Sequence, residues 1–252
     1  MEMLRNLCFP IFVNGRWEGS QPLYRYPDFY LEGPFNLGCV CYSYHVAVDL
    51  VVCVATELEG SLLRPHVPVL YTGVSAVNAA YTLTRFLERE QAHAVIVCGI
   101  AGAYPKAFSG GELNIDSVVC AESECYGDLG AYSANGFLDM QTLGFPLIEA
   151  PEPIYNVLPM QIFPTSRRTR FVTMNTCTGD EETARQLEAR TGGAVESMEG
   201  AAVAHVAALF GVPVGEIRGI SNRAGNRNRS TWRVQDAAIA AQEALLVWMA
   251  NR

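Results

Sequence analysis

Basic residues are scarce in this chain: 18 Lys and Arg stand against 26 Asp and Glu, a formal charge of −8. That sign opposes nucleic-acid phosphates and anionic headgroups, so neither nucleic acid nor a membrane is expected as a general partner. No apolar run approaches the roughly 18 residues that span a bilayer. The segment LCFPIFV at 7–13 follows Glu2 and Arg5, contains Pro10 and precedes no small-residue cleavage site, so a secretory signal is not expected. The eight cysteines include no C-x-x-C pair, and several fall inside strand-like apolar runs. They read as reduced core thiols of a cytoplasmic protein. Cys and His show no metal-ligand spacing, and H-E-x-x-H, G-x-S-x-G, Walker A and G-x-G-x-x-G sequences are missing. No metal and no cofactor is expected.

What is present is the composition of a packed enzyme, with 50% hydrophobic and 17% charged residues over 252 positions. One large α/β domain of this length buries a substantial core without metals or disulfides. Residues 1–46 differ from the rest, being rich in aromatics, Pro, Gly and Asn without helical periodicity, and read as an extended N-terminal arm of unassigned role. The domain proper is expected over 47–252. Short Val- and Ile-rich runs at 48–55, 67–72, 94–100, 117–121, 170–174 and 213–220 predict buried strands. Periodic segments at 75–90, 180–191, 198–210 and 234–250 predict helices, the third stopped by Gly211 and Pro213. Residues 125–168, with little periodicity and many Gly and Pro, read as loops over a site.

Ligands of open α/β sheets gather beyond the carboxyl ends of strands, which directs attention to the polar residues after each apolar run. Glu57 and Glu59 follow the first run; one is a candidate general base, and both equally suit the dipole at a helix start. Met198 and Glu199 precede an Ala-rich helix. An apolar face beside a bidentate acceptor suits a ribose, and a capping acid is the competing reading. Arg218 lies inside an apolar run and so requires a carboxylate partner, while Asn222 ends that run with an amide that both donates and accepts. His205 reads as a core or surface histidine.

Glu59, Met198, Glu199, Arg218 and Asn222, with TGVSAVNAA at 72–80 and CGIAGA at 98–103, resemble in order and spacing the nucleosidase branch of the nucleoside phosphorylase superfamily, over residues 48–250. Within that branch GDLGAYSANGFLDMQTLGF (127–145), NTCTGDEETARQL (175–187) and EIRGISNRAGNRNRSTW (216–232) resemble the futalosine hydrolases. The resemblance implies a three-layer α/β fold, its mixed central β-sheet flanked by helices. It further implies hydrolysis of futalosine to hypoxanthine and dehypoxanthinyl futalosine in menaquinone biosynthesis. Glu59 would activate water, Glu199 hold the ribose hydroxyls, Met198 touch the sugar and Arg218 orient the base carboxylate. Gly99 and Gly102 would line the site. A small-molecule nucleoside is the implied partner, and a homodimer or other homo-oligomer the implied assembly.

Two departures from the branch matter. Many adenine-releasing relatives carry an aspartic acid where this chain has Asn222, and an asparagine amide favours a 6-oxo purine. TGDEET at 178–183 lacks the aromatic that stacks the base, leaving Tyr126 and Phe137 as candidates. Arg223, Arg227 and Arg229 are candidates for a substrate carboxylate, with Trp232 to cover an aromatic ring. A nucleosidase for methylthioadenosine, S-adenosylhomocysteine or aminodeoxyfutalosine is an alternative, as is a purine nucleoside phosphorylase. The latter is disfavoured because no arginine follows the first strand before Arg64.

Overall fold

A computed structural model describes residues 8–13, 16–22, 47–111 and 113–252. The chain divides into two compact units, Met1–Ser43 and Tyr44–Arg252. In the first, β1 (Cys8–Val13) and β2 (Arg16–Pro22) pair as an antiparallel hairpin. The remainder of the expected arm lies outside the described residues.

The second unit alternates strands with helices. Its strands are β3 (Ala47–Val48), β4 (Val51–Val54), β5 (Val69–Tyr71), β6 (Gln91–Ala92), β7 (Val95–Ala103), β8 (Val118–Tyr126), β9 (Ala131–Ser133), β10 (Gly136–Leu138), β11 (Val157–Pro159), β12 (Arg168–Thr173), β13 (Val195–Ser197) and β14 (Val214–Arg223). Its helices are α1 (Glu57–Gly60), α2 (Ala76–Leu87), α3 (Pro105–Ser109), α4 (Met140–Leu143), α5 (Glu181–Thr191), α6 (Gly200–Leu209) and α7 (Val234–Ala250). The β-branched runs supply both faces of the sheet at once. Val51 and Cys53 pack with Ala79 and Leu83 of α2 and Ala204 of α6, whereas Val52 and Val54 pack with Ala241 and Leu245 of α7. Alternating side chains of one strand thus feed two helical layers, giving the three-layer α/β architecture with a mixed sheet. No helix among the described residues is long and apolar enough to cross a membrane.

Strands β5, β4 and β7 run parallel. From β7 the pairing continues through β14, β8, β12 and β13 and returns to β7, so these five strands close into a ring. Three features depart from the sequence reading. The strands β8 and β14 run on to Tyr126 and Arg223, beyond their apolar stretches, because their distal ends carry polar side chains into the interior. The three-residue β13 was not anticipated, since Val195-Glu196-Ser197 is too short to show a period. The 125–168 segment is not merely loop: it holds the β9–β10 hairpin, α4 and β11, the last paired on β8.

Candidate active site

A cavity of about 410 Å³, in the size range of small-molecule sites, opens where β4, β7, β13 and β14 end. At its floor the short α1 turns back after β4. Glu57 is exposed and Glu59 buried, which separates the two carboxylates that sequence alone left equivalent. Glu59 Oε2 accepts a hydrogen bond from Thr56 Oγ1 at 2.8 Å, and Oε1 accepts from the Ile100 N–H at 3.0 Å. Gly99 lies directly behind this contact rather than on the cavity wall; a methyl group there would overlap Glu59 Oε1 and stand 2.7 Å from Arg218 Nη1. Only a residue without a side chain admits both groups.

Arg218 is 1% exposed and has the carboxylate partners its burial requires. Its Nε donates to Glu216 Oε1 at 2.7 Å, Nη2 donates to Glu199 Oε2 at 3.3 Å, and Nη1 donates to the Ile100 carbonyl at 3.1 Å, 4.0 Å from Glu59 Oε1. The closest partner is therefore Glu216, not Glu59. Burial works against the charge of the guanidinium, but Glu216, Glu199 and Glu59 outweigh it, so its pKa is raised and it stays cationic.

Glu199 occupies the N-cap position of α6 without its side chain capping that helix. Its Oε1 instead accepts from the Ser75 N–H at 3.2 Å, in the turn that precedes α2. Ser75 holds a φ of 116°, a conformation L side chains rarely adopt, and caps α2 through its hydroxyl. The carboxylate is thus tied into the cavity wall. Met198 lines the wall beside it, its Sδ 3.4 Å from the Cys177 thiol.

At the other end, a β-bulge inserts Ser221 between Ile220 and Asn222, with Ile220 opposite Ala101 and Asn222 opposite Gly102. Asn222 Oδ1 accepts from Ser221 Oγ at 2.8 Å and Nδ2 donates to the Arg223 carbonyl at 3.1 Å. One N–H of the amide remains for a ligand. Gly102 lines the cavity here, and a Cβ on it would stand 3.1 Å from Asn222 Nδ2.

Of the three loop arginines, Arg227 lines the cavity, with its guanidinium 5.2 Å from the ring centre of Trp232, also a lining residue. Arg223 pairs with Glu181 at 2.9 Å, and neither it nor Arg229 lines the cavity. Tyr126 and Phe137 do not reach it either: Tyr126 turns to His205, and Phe137 packs on Tyr132 beneath the Arg190 guanidinium. No residue of 125–168 lines the cavity, which corrects the expectation of loops covering it from there. That face is formed instead by Cys177, Thr178, Glu196 and Ala224, none of which sequence reasoning selected. Glu196 accepts from the Thr178 N–H at 2.9 Å and from the Tyr104 hydroxyl at 3.0 Å, fixing the turn after β12. The signal was available, since residues 175–178 directly follow the apolar run at 170–174. Cys177 is also the exception among the described thiols in being exposed; burial pushes those of Cys53, Cys120 and Cys125 up to about 12.

A family model of the phosphorylase superfamily matches residues 56–247. The chain is similar to a futalosine hydrolase of Streptomyces coelicolor, 36% identical over 152 residues, which is 60% of this chain and 63% of that protein. It is also similar to a futalosine hydrolase of Thermus thermophilus, 33% identical over 185 residues, 70% of this chain and 78% of that one. Among solved structures it resembles native futalosine hydrolase of Helicobacter pylori with a TM-score of 0.66, covering 81% of this chain and 98% of that one. At 17% identity that last likeness bears on the fold alone.

Proposed function

We infer that this chain, which belongs to the phosphorylase superfamily and within it to the futalosine hydrolases, cleaves the N-glycosidic bond of futalosine with water. The products are hypoxanthine and dehypoxanthinyl futalosine, a step in menaquinone biosynthesis. The observation that carries this reading is the pair Glu59 and Glu199, both buried, both on the cavity wall and both beside one buried guanidinium. Glu59, restrained by Thr56 and the Ile100 N–H, removes a proton from water as it attacks the anomeric carbon. Glu199 accepts from the ribose hydroxyls, and Met198 meets the apolar sugar face. The oxocarbenium-like sugar is stabilised by the same carboxylates, which are fixed before reaction and need no reorganisation. Asn222 donates its free N–H to the 6-oxygen of the departing purine, an acceptor that a 6-amino base lacks, and so favours a 6-oxo base.

Water is favoured over phosphate by the charges lining the cavity. Glu59, Glu196 and Glu199 outnumber Arg218 and Arg227, and Arg218 is already surrounded by carboxylates. The catalytic domain is read as 47–252 with 1–46 as an extension, in a cytoplasmic enzyme. Val74, Val77 and Tyr81 are exposed at three- and four-residue spacing along and before α2, a face suited to a homodimer contact. The test is to offer purified protein futalosine, aminodeoxyfutalosine, methylthioadenosine and inosine, each with and without phosphate, and identify the released base. Phosphate-independent release of hypoxanthine from futalosine is the expected result; adenine release or a phosphate requirement overturns it.

A further inference from the structure

Glu124 on β8 and Glu216 on β14 are both fully enclosed, and neither lines the cavity. Each uses one carboxyl oxygen in a conventional way. Glu124 Oε2 accepts from the Cys125 N–H and from Thr173 Oγ1, both at 3.1 Å. Glu216 Oε1 accepts from Arg218 Nε. The remaining oxygens, Oε1 of Glu124 and Oε2 of Glu216, have no donor. They converge, because a methyl group built on Gly200 would overlap both of them at once. Two ionised carboxylates facing each other away from solvent repel strongly, and a single proton between them turns that repulsion into a hydrogen bond.

We propose that Glu124 and Glu216 share one proton, resident on Glu124, and act as a positioning pair that holds Arg218 for the reaction. The assignment to Glu124 follows from the partners. Glu216 faces a guanidinium, which favours its ionised form, whereas Glu124 accepts from an amide and a hydroxyl, both neutral. Burial first, and then the neighbouring Glu216, push the Glu124 carboxyl well above the usual range. The N-terminus of α6, where Gly200 abuts the pair and the Ala201 N–H donates to Thr173 Oγ1 at 2.7 Å, favours the one negative charge that the pair retains. A neutral Glu124 leaves Arg218 anchored by one anion at Nε. Its Nη2 then donates to Glu199, while Nη1, bonded to the Ile100 carbonyl, stands 4.0 Å from Glu59.

The positioning role rests on the hydrolase reading, but the shared proton does not, so the experiment has two independent arms. In the first, infrared spectra of the whole protein are recorded at neutral pH in light and heavy water, where exposed Asp and Glu are ionised. A protonated carboxyl band that shifts on exchange and disappears in Glu124→Gln is expected. Absence of the band in the native protein, or its persistence in that variant, overturns the shared proton. In the second arm, Glu216→Gln removes the anion from Arg218 Nε and lowers kcat about a hundredfold, with a smaller change in KM. Glu124→Ala, which leaves Glu216 without a donor, lowers kcat by about tenfold, and Glu124→Gln, whose amide donates as the acid does, restores most of it. Glu124→Gln turning over no better than Glu124→Ala overturns the positioning role. If the native protein cleaves no nucleoside, the hydrolase reading falls while the infrared result stands.

Discussion

Replacing Gly99 with alanine puts one methyl group where Glu59 and Arg218 meet. The new carbon would overlap Glu59 Oε1 and stand 2.7 Å from Arg218 Nη1, where ordinary contact begins at 3.4 Å. Restoring contact distance requires a displacement of about 1 Å, shared between two side chains that are buried and hydrogen-bonded on their other sides. Overpacking of that kind costs about 1–3 kcal/mol of stability, which leaves a folded protein. The chemistry suffers more, since a 1 Å misplacement of a catalytic group costs about a hundredfold in rate. The expected result is a melting temperature lowered by a few degrees and kcat for hypoxanthine release from futalosine lowered about a hundredfold, followed by chromatography of the base. Gly102→Ala is the control: its methyl group would stand 3.1 Å from Asn222 Nδ2, with Asn222 and Ala224 rather than Glu59 or Arg218 nearest to it, so it raises KM more than it lowers kcat. Turnover of Gly99→Ala within about threefold of native, in a folded protein, refutes the argument that Glu59 must sit against Arg218.

Further outcomes follow from the same geometry. Glu59→Gln keeps the shape but not the base, and base release falls by about two to four orders of magnitude with the fold intact by circular dichroism. Glu57→Gln, on an exposed side chain, serves as its control, and the reverse pattern would reassign the base. Asn222→Asp moves discrimination toward 6-amino purines by about 1–3 kcal/mol, measured as the ratio of kcat/KM for futalosine and aminodeoxyfutalosine; an unchanged ratio means Asn222 does not read the base. Arg227→Met raises KM for futalosine, whose tail carries a carboxylate, and leaves inosine unaffected. Equal effects on both substrates would remove Arg227 from the tail site.

Much of the fold was legible because Val- and Ile-rich runs must be covered on both sides, and Val51 to Val54 show that requirement in four residues. The charged cluster was legible only in part. Arg218 demanded a carboxylate, yet its closest partner is Glu216, two residues earlier on the same strand. Strand alternation places positions two apart on one face, so the E-x-R spacing is itself a signal for that pair. Glu124 had no such signal, because its approach to Glu216 depends on β8 pairing with β14 across about 90 residues of chain. Tyr126 and Phe137 are aromatics of the neighbouring segment, and the strands that carry them send the first to His205 and the second to Tyr132.

The single extra residue at Ser221 gives β14 two independent phases. Before it, positions 216 and 218 carry the ion pair that stands behind Glu59 and Glu199; after it, Asn222 faces the end of the cavity assigned to the base. Because the insertion resets the alternation, a change at or beyond 221 re-aims the base reader without disturbing the register that places Arg218. The residue that meets the base is therefore set apart, along one strand, from the residue that orients the carboxylates. Libraries that vary 221–224, in residue type and in length by one, are the economical way to search for new base preferences in a catalyst that still works.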